Sequence, residues 1–216
     1  MKLQAKNVIL KKILKNTVRE VIILDRISLD KEVILNATEE VIRRYGPEKA
    51  NISDVAKLLK VSHAALYRYF NGKNDLWNAV TERWLSNLHA SSIDILKEDN
   101  SADIKLFHLL EDFAEAKRLS AVNDPEMFGS YLKLAQNSMD IIEKSIEEGI
   151  NSIKNIIEQG IAEGIFFEDF PYQAARAVYL ATSVFIHPNS FNDPNRKQNI
   201  EAVINLLIRG LKNPKK

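Results

Sequence analysis

The residues best placed to do chemistry lie between positions 51 and 77, NISDVAKLLKVSHAALYRYFNGKNDLW, and their types suit hydrogen bonding to a nucleic acid rather than bond making. His63 can donate or accept at a base edge, and Ala64 is small enough to let the backbone approach and touch a thymine methyl. Tyr67, Arg68 and Tyr69 carry donors for phosphate oxygens. Lys73 follows an Asn71-Gly72 turn near the start of the next helix, where a phosphate would also meet free backbone N–H groups.

Two short helices must position these groups. Ser53 reads as the N-cap of the first, and Ile52, Val55, Ala56 and Leu59 repeat at helical spacing, giving one apolar stripe that needs a partner. After Lys60 and Val61, Ser62 reads as a second N-cap, so the two helices meet at an angle, as in a helix-turn-helix. Leu66 and Phe70 then face inward, which leaves His63, Ala64, Tyr67 and Arg68 on the side that would enter a major groove. Upstream, residues 30–45 form a helix with Ile34, Ala37, Val41 and Tyr45 on its core face, stopped by Gly46-Pro47. Downstream, a fourth helix runs from near Lys73 to about Leu96, and Leu76, Val80, Trp84 and Leu88 carry its apolar face into the rest of the chain.

Residues 33–80 resemble the DNA-binding domain of the TetR family of transcriptional regulators. The resemblance rests on Ala37, Tyr45-Gly46, Ser53, Asp54-Val55-Ala56, Val61-Ser62, Leu66-Tyr67-Arg68-Tyr69-Phe70 and Lys73-Asn74-Asp75-Leu76. Lys60 departs from the pattern, standing where the family usually has a turn glycine, and a left-handed conformation there would cost about 1 kcal/mol or more. Ala65 departs too, where a Thr or Ser hydroxyl often reaches a phosphate. The resemblance implies an all-α protein, with a three-helix DNA-binding domain over 30–76 and a larger helical effector-binding and dimerisation domain over 77–216. It further implies a homodimer formed through the last two helices and a palindromic double-stranded DNA operator with half-sites about 34 Å or a multiple apart. A small-molecule effector would act through the fourth helix, releasing a repressor from its operator.

Composition agrees with this class. Seven Gly and six Pro in 216 residues, with no sustained apolar-polar alternation, favour helices throughout. The absence of Cys excludes disulfides and thiolate chemistry and fits a cytoplasmic setting. Apolar runs such as Val21 to Leu24 are too short for a signal peptide or membrane span. Residues 1–80 hold 15 Lys and Arg against 9 Asp and Glu, whereas residues 81–216 hold 15 against 20, so the chain is basic first and acidic after. That balance suits a one-ended DNA binder, although ordinary surface variation also produces it. Catalysis has no support: His63, His89, His108 and His187 share no metal-ligand spacing, and no P-loop, GxGxxG or GxSxG motif occurs. Neither a cofactor nor a metal is expected.

Residues 1–29 form a basic amphipathic extension, with Leu10, Leu14 and Val18 on one face and Lys11, Lys15 and Arg19 on another. An added helix packed on the DNA-binding domain, a basic arm, a segment without fixed structure and a membrane-surface helix are all compatible with it. Beyond the polar break KEDNSAD at 97–103, helices are expected at 104–119, 125–136 and 138–163, the last holding Gly149 and Gly160 and ended by Gly164. Ala174, Ala175, Val178, Ala181 and Phe185 then share a face, and Val203, Leu206, Leu207 and Leu211 another. Trp84, Phe107, Phe113, Met127, Phe128, Tyr131 and Met139, with His108 and Asn137 as polar groups, are the candidate lining for an apolar effector. Ordinary core packing explains such residues equally well, and a DNA-bound structural or partner-binding protein without an effector remains the alternative function.

Overall fold

The computed structural model describes residues 29–212. Among these residues there are ten α-helices and no strand: α1 (Lys31–Lys49), α2 (Ile52–Leu59), α3 (His63–Tyr67), α4 (Lys73–Leu88), α5 (Ala90–Lys97), α6 (Ala102–Asn123), α7 (Pro125–Ala135), α8 (Met139–Ala162), α9 (Pro171–Thr182) and α10 (Arg196–Leu211). The readings offered for residues 1–29 fall, Leu29 aside, outside the described residues.

Asp30 caps α1 by accepting from the Val33 N–H at 2.8 Å, and Ile34, Leu35, Ala37, Val41 and Ile42 form its buried face. Gly46, at φ 76°, breaks the helical path as the sequence implies, and Pro47 resumes it for one last turn. Tyr45, expected in the core, is 53% exposed; it sits where the chain turns away at Gly46, and Ile42 closes the inner face instead. The N-cap of α2 is Asn51 rather than Ser53: its Oδ1 accepts from the Asp54 N–H at 3.2 Å, and burial of Ile52 requires the helix to begin there. Ser53 therefore sits in the first turn.

α4 is shorter than expected. It breaks at His89 (φ −100°, ψ 2°), and α5 starts at Ala90. At the break the His89 ring turns inward, 5.2 Å from the Phe113 ring centre and 3.2 Å from Ser145 Oγ. The end of α8 depends on two glycines. Gly164 takes φ 71°, and the Ile165 and Phe166 N–H groups both donate to the Gly160 carbonyl, folding Phe166 back until it is 1% exposed. A Cβ at Gly160 would lie 2.1 Å from the Phe166 ring, so only glycine fits. On α9, Ala175 and Val178 are buried, but Ala181 is exposed, a correction to the expected inner face. On α10 the core residues are Ile200, Ile204, Ile208 and Leu211, while Leu206 is 63% exposed rather than inward.

The buried side chains form two clusters. The head core joins α1–α4 and takes in Met127 and Leu134 from α7; the body core joins α6, α8, α9 and α10. α4 serves both ends. Its Leu76, Trp77 and Val80 lie in the head core, and Trp84 lies beyond it against α7.

Candidate functional site

The head presents one outward face. Ser62 Oγ caps α3 by accepting from the Ala65 N–H at 3.2 Å, and Leu66 and Phe70 anchor the helix at 1% and 5% exposure. With that side fixed inward, His63, Ala64, Tyr67 and Arg68 are exposed together on the other. The turn before α3 is tight because Lys60 adopts φ 54°, ψ 39°, and Val61 donates back to the Ala56 carbonyl at 3.0 Å. Lys60 is thus the one non-glycine residue at positive φ among the described residues, as its place in the turn implies.

Two of the expected phosphate donors have work within the head. Tyr69 is half-buried and its hydroxyl donates to the Leu29 carbonyl. Lys73 donates to the Glu48 carbonyl at 3.3 Å and lies 5.1 Å from the Trp77 ring centre, so part of its hydrogen-bonding capacity is taken. Residues 29–80 hold eight Lys and Arg against seven Asp and Glu; the basic excess of the first 80 residues comes from positions 1–28, with seven against two.

Behind the head, α4, α6, α7, α8 and the end of α9 border a partly open apolar cavity of about 170 Å³. Trp84, Leu88, Phe113, Ile142 and Ile186 supply most of its wall, and His89, Lys117, Ser145 and Tyr179 its polar atoms. Burial lowers the pKa of His89, partly offset by Glu148 and Asp112, and raises that of the Tyr179 phenol. Burial also depresses the Lys117 ammonium, whose Nζ lies 5.9 Å from the Trp84 ring centre. This cavity brings together only Trp84 and Phe113 of the nine expected lining residues. Met127 packs in the head core; Phe128 and Tyr131 pack against Trp84, with Tyr131 stacked on it at 4.9 Å. Phe107 and exposed His108 line a groove between α6 and α10, where His108 Nδ1 lies 3.5 Å from Glu98. Asn137 lines a polar groove of about 490 Å³ beside Lys73 and Trp77, and Met139 is 58% exposed. His89, Lys117 and Tyr179 escape sequence reading because they come from three separate helices or their ends, and Lys117 stands in an EAKR run typical of a solvated face.

Polar ties cross from head to body around Trp84. Arg83 on α4 pairs with Glu39 at 2.7 Å and Glu32 at 3.1 Å on α1 and donates to Asn36 at 2.8 Å. Arg43 on α1 pairs with Asp124 at the start of α7, and its guanidinium holds that carboxyl below the usual range. Burial, with Glu39 beside it, pushes the Tyr131 phenol up. Among the described residues no cluster of His, Asp and Glu could hold a metal, and no helix is long and apolar enough to cross a membrane.

Comparison with known proteins matches both parts of this arrangement. Residues 34–80 match the model for bacterial regulatory proteins of the tetR family, and residues 102–206 match the model for a tetracyclin repressor-like C-terminal domain. The fatty acid metabolism regulator protein of Bacillus subtilis (strain 168) is 25% identical over 153 residues, covering 69% of this chain and 77% of that protein. A TetR transcription regulator from Haloarcula marismortui superposes with a TM-score of 0.65 at 19% identity, covering 85% of this chain and 98% of that one. FadR from Bacillus subtilis, solved in complex with stearoyl-CoA, gives 0.53 at 22% identity, covering 87% of this chain and 100% of that one. With a helix-turn-helix head matching one model and the helical body another, the chain belongs to the TetR family of transcriptional regulators.

Proposed function

We propose that this regulator binds a palindromic operator as a homodimer and represses by occupancy, and that a small molecule in the cavity behind α4 releases it. Residues 30–76 would be the DNA-binding head, and residues 77–216 the effector-binding and dimerisation part. The observation that carries the DNA reading is the α3 face: His63, Ala64, Tyr67 and Arg68 are exposed while Leu66 and Phe70 are locked beneath them. Ser53, Ser62, Tyr69 and Lys73 flank that face and would contact the phosphate backbone, Tyr69 and Lys73 only with the capacity their internal bonds leave free.

Dimerisation is supported by an uncovered apolar stripe. Ala177, Leu180, Ala181 and Val184 are exposed at helical spacing along α9 and the turn after it, and Leu206 is exposed on α10. A second copy would cover both helices and set two heads on successive major grooves, about 34 Å or a multiple apart. Replacing Leu180 and Leu206 by Asp should give monomers in sedimentation and abolish operator binding. A variant that stays dimeric would remove this interface from the proposal.

Effector control is supported by the cavity and by the relative named for fatty acid metabolism. A long acyl chain such as the stearoyl group held by the FadR neighbour exceeds about 170 Å³, so an effector of that kind would require the cavity to open. The same small volume, below the roughly 300 Å³ of common ligand pockets, favours the second reading, a DNA-bound protein of this fold with no effector. Selection of bound DNA from a random pool tests the first step: a symmetric site should emerge. His63→Ala should then relax base preference, whereas Tyr67→Ala should weaken every sequence alike. Equal losses for His63→Ala on operator and random DNA would remove His63 from base reading.

A further inference from the structure

We infer that the cavity behind α4 is built for a small amphipathic carboxylate, with the Lys117 ammonium reading the head and the apolar wall taking the tail; this rests on the effector-controlled reading above. Lys117 is the only side chain of fixed charge among the described residues that line this cavity. No carboxylate among the described residues lies within ion-pair distance of it, whereas Arg83, Arg43 and Arg196 nearby in the fold all hold acidic partners. The direction of its pKa shift has one cause, burial, with no neighbouring acid offsetting it. A half-buried cation without a counter-ion is partly desolvated at a cost, and an anion brought in by a ligand would offset that cost.

The remaining polar atoms narrow the head group. The Tyr179 hydroxyl adds a donor to the wall, and His89, held toward its neutral form by burial and placed 3.2 Å from Ser145 Oγ, adds no fixed charge. One ammonium and one or two neutral donors match a singly charged carboxylate; a phosphate, with more charge and more acceptor oxygens, calls for a larger set of cations. The tail is set by volume. A cavity of about 150 Å³ lined by aliphatic and aromatic side chains accepts a benzene ring, so about 170 Å³ suits a ring or a short alkyl chain.

Calorimetry with octanoate and 1-octanol tests this directly on the 216-residue chain without DNA. Octanoate should bind at least about tenfold more tightly than octanol, the difference expected for one buried charge-assisted hydrogen bond. Lys117→Met should erase that preference while octanol still binds, and should raise the melting temperature of the free protein, since a half-buried unpaired charge is gone. Lys117→Arg should keep the preference. Octanol binding as tightly as octanoate, octanoate failing to bind, or Lys117→Met retaining the preference would each overturn the assignment. Octanoate binding as expected without weakening operator binding would leave the carboxylate site standing and overturn the effector-controlled reading alone.

Discussion

The head and the body are stabilised by the same kind of apolar packing but differ in how completely that packing closes. In the head, Ile34, Ile42, Val55, Leu66, Leu76 and Val80 are at most 1% exposed, and the helix starts are capped by Asp30, Asn51 and Ser62. In the body, Leu106, Leu109, Ile153, Ile156 and Ile157 are as deeply buried, yet the flank facing α4 keeps a cavity with a half-buried ammonium in its wall. A closed core moves as one piece, because close-packed interiors resist deformation; a cavity is where shape can change at low cost. α4 runs from one regime into the other, Leu76 to Val80 fixed in the head and Trp84 to Leu88 on the cavity wall. Ligand in the cavity would therefore bear on the C-terminal half of a rod whose N-terminal half is packed in the head core with Leu66 of α3.

The sharpest way to break this contrast is to overpack the closed part of the body. Gly160→Ala would drive a Cβ into the Phe166 ring, at 2.1 Å, deep in the body core. We expect a loss of about 3 kcal/mol in denaturant unfolding, the upper range for overpacking, and recovery of much of it when Phe166→Leu is added. Tolerance of Gly160→Ala without loss would show that the end of α8 is looser than its packing implies. The ties between the parts come next. Arg83→Met should cost about 2 kcal/mol by stranding the part-buried Glu39. It should also reduce the effect of any effector on operator affinity, because moving a two-state equilibrium from 1:99 to 99:1 takes about 5.5 kcal/mol of differential binding and the head must feel it. Unchanged coupling in a titration of operator against effector would show that α4 transmits without Arg83.

The head was legible in sequence because each of its decisions is local. A cap, a four-residue spacing and a turn separate Leu66 and Phe70 from His63 and Tyr67 without reference to any distant segment. Where the head was misread the competing signals were also local: Asn51 and Ser53 are both good caps, and only the need to bury Ile52 chooses between them. The cavity was not legible. Its wall is assembled from four helices and the end of a fifth, so apolar residues with the right chemistry, Phe107 and Met127 among them, were drawn into other packing. His89 marks a break in α4 that no Gly or Pro announces, and its inward turn is a tertiary choice.

A smaller effect probes the turn of the head. Lys60 sits at φ 54°, ψ 39° and is exposed, so Lys60→Gly removes a left-handed penalty of about 1–2 kcal/mol and adds about 0.5–1 kcal/mol of chain entropy to the unfolded state. The net gain should be about 0.5–1 kcal/mol, read as a melting temperature a few degrees higher. Operator affinity should stay the same, since Lys60→Gly keeps the turn that aims α3. A fall in affinity with stability raised would mean that the Lys60 side chain itself touches DNA.

The smallest expected effect distinguishes the cavity from the head by pH. His89 is the histidine whose burial depresses its pKa, with Glu148 and Asp112 acting the other way and Ser145 beside it. Its folded pKa lies below the ordinary 6.5, so the unfolded chain takes up the proton first. The stability that a neutral His89 contributes is therefore complete above that value and declines as pH falls below it. Depressed carboxylates such as Asp124 and Asp103 add a further loss only at lower pH, below the ordinary 3.8 of an aspartate. Melting curves from pH 7.5 to 5 should thus show a shallow decline for the native chain and a flatter line for His89→Gln. A neutral ligand such as octanol in the cavity would steepen the decline, because it seals His89 further from water and brings no negative charge to favour its protonated form; an unchanged slope on adding bound octanol would place it away from His89.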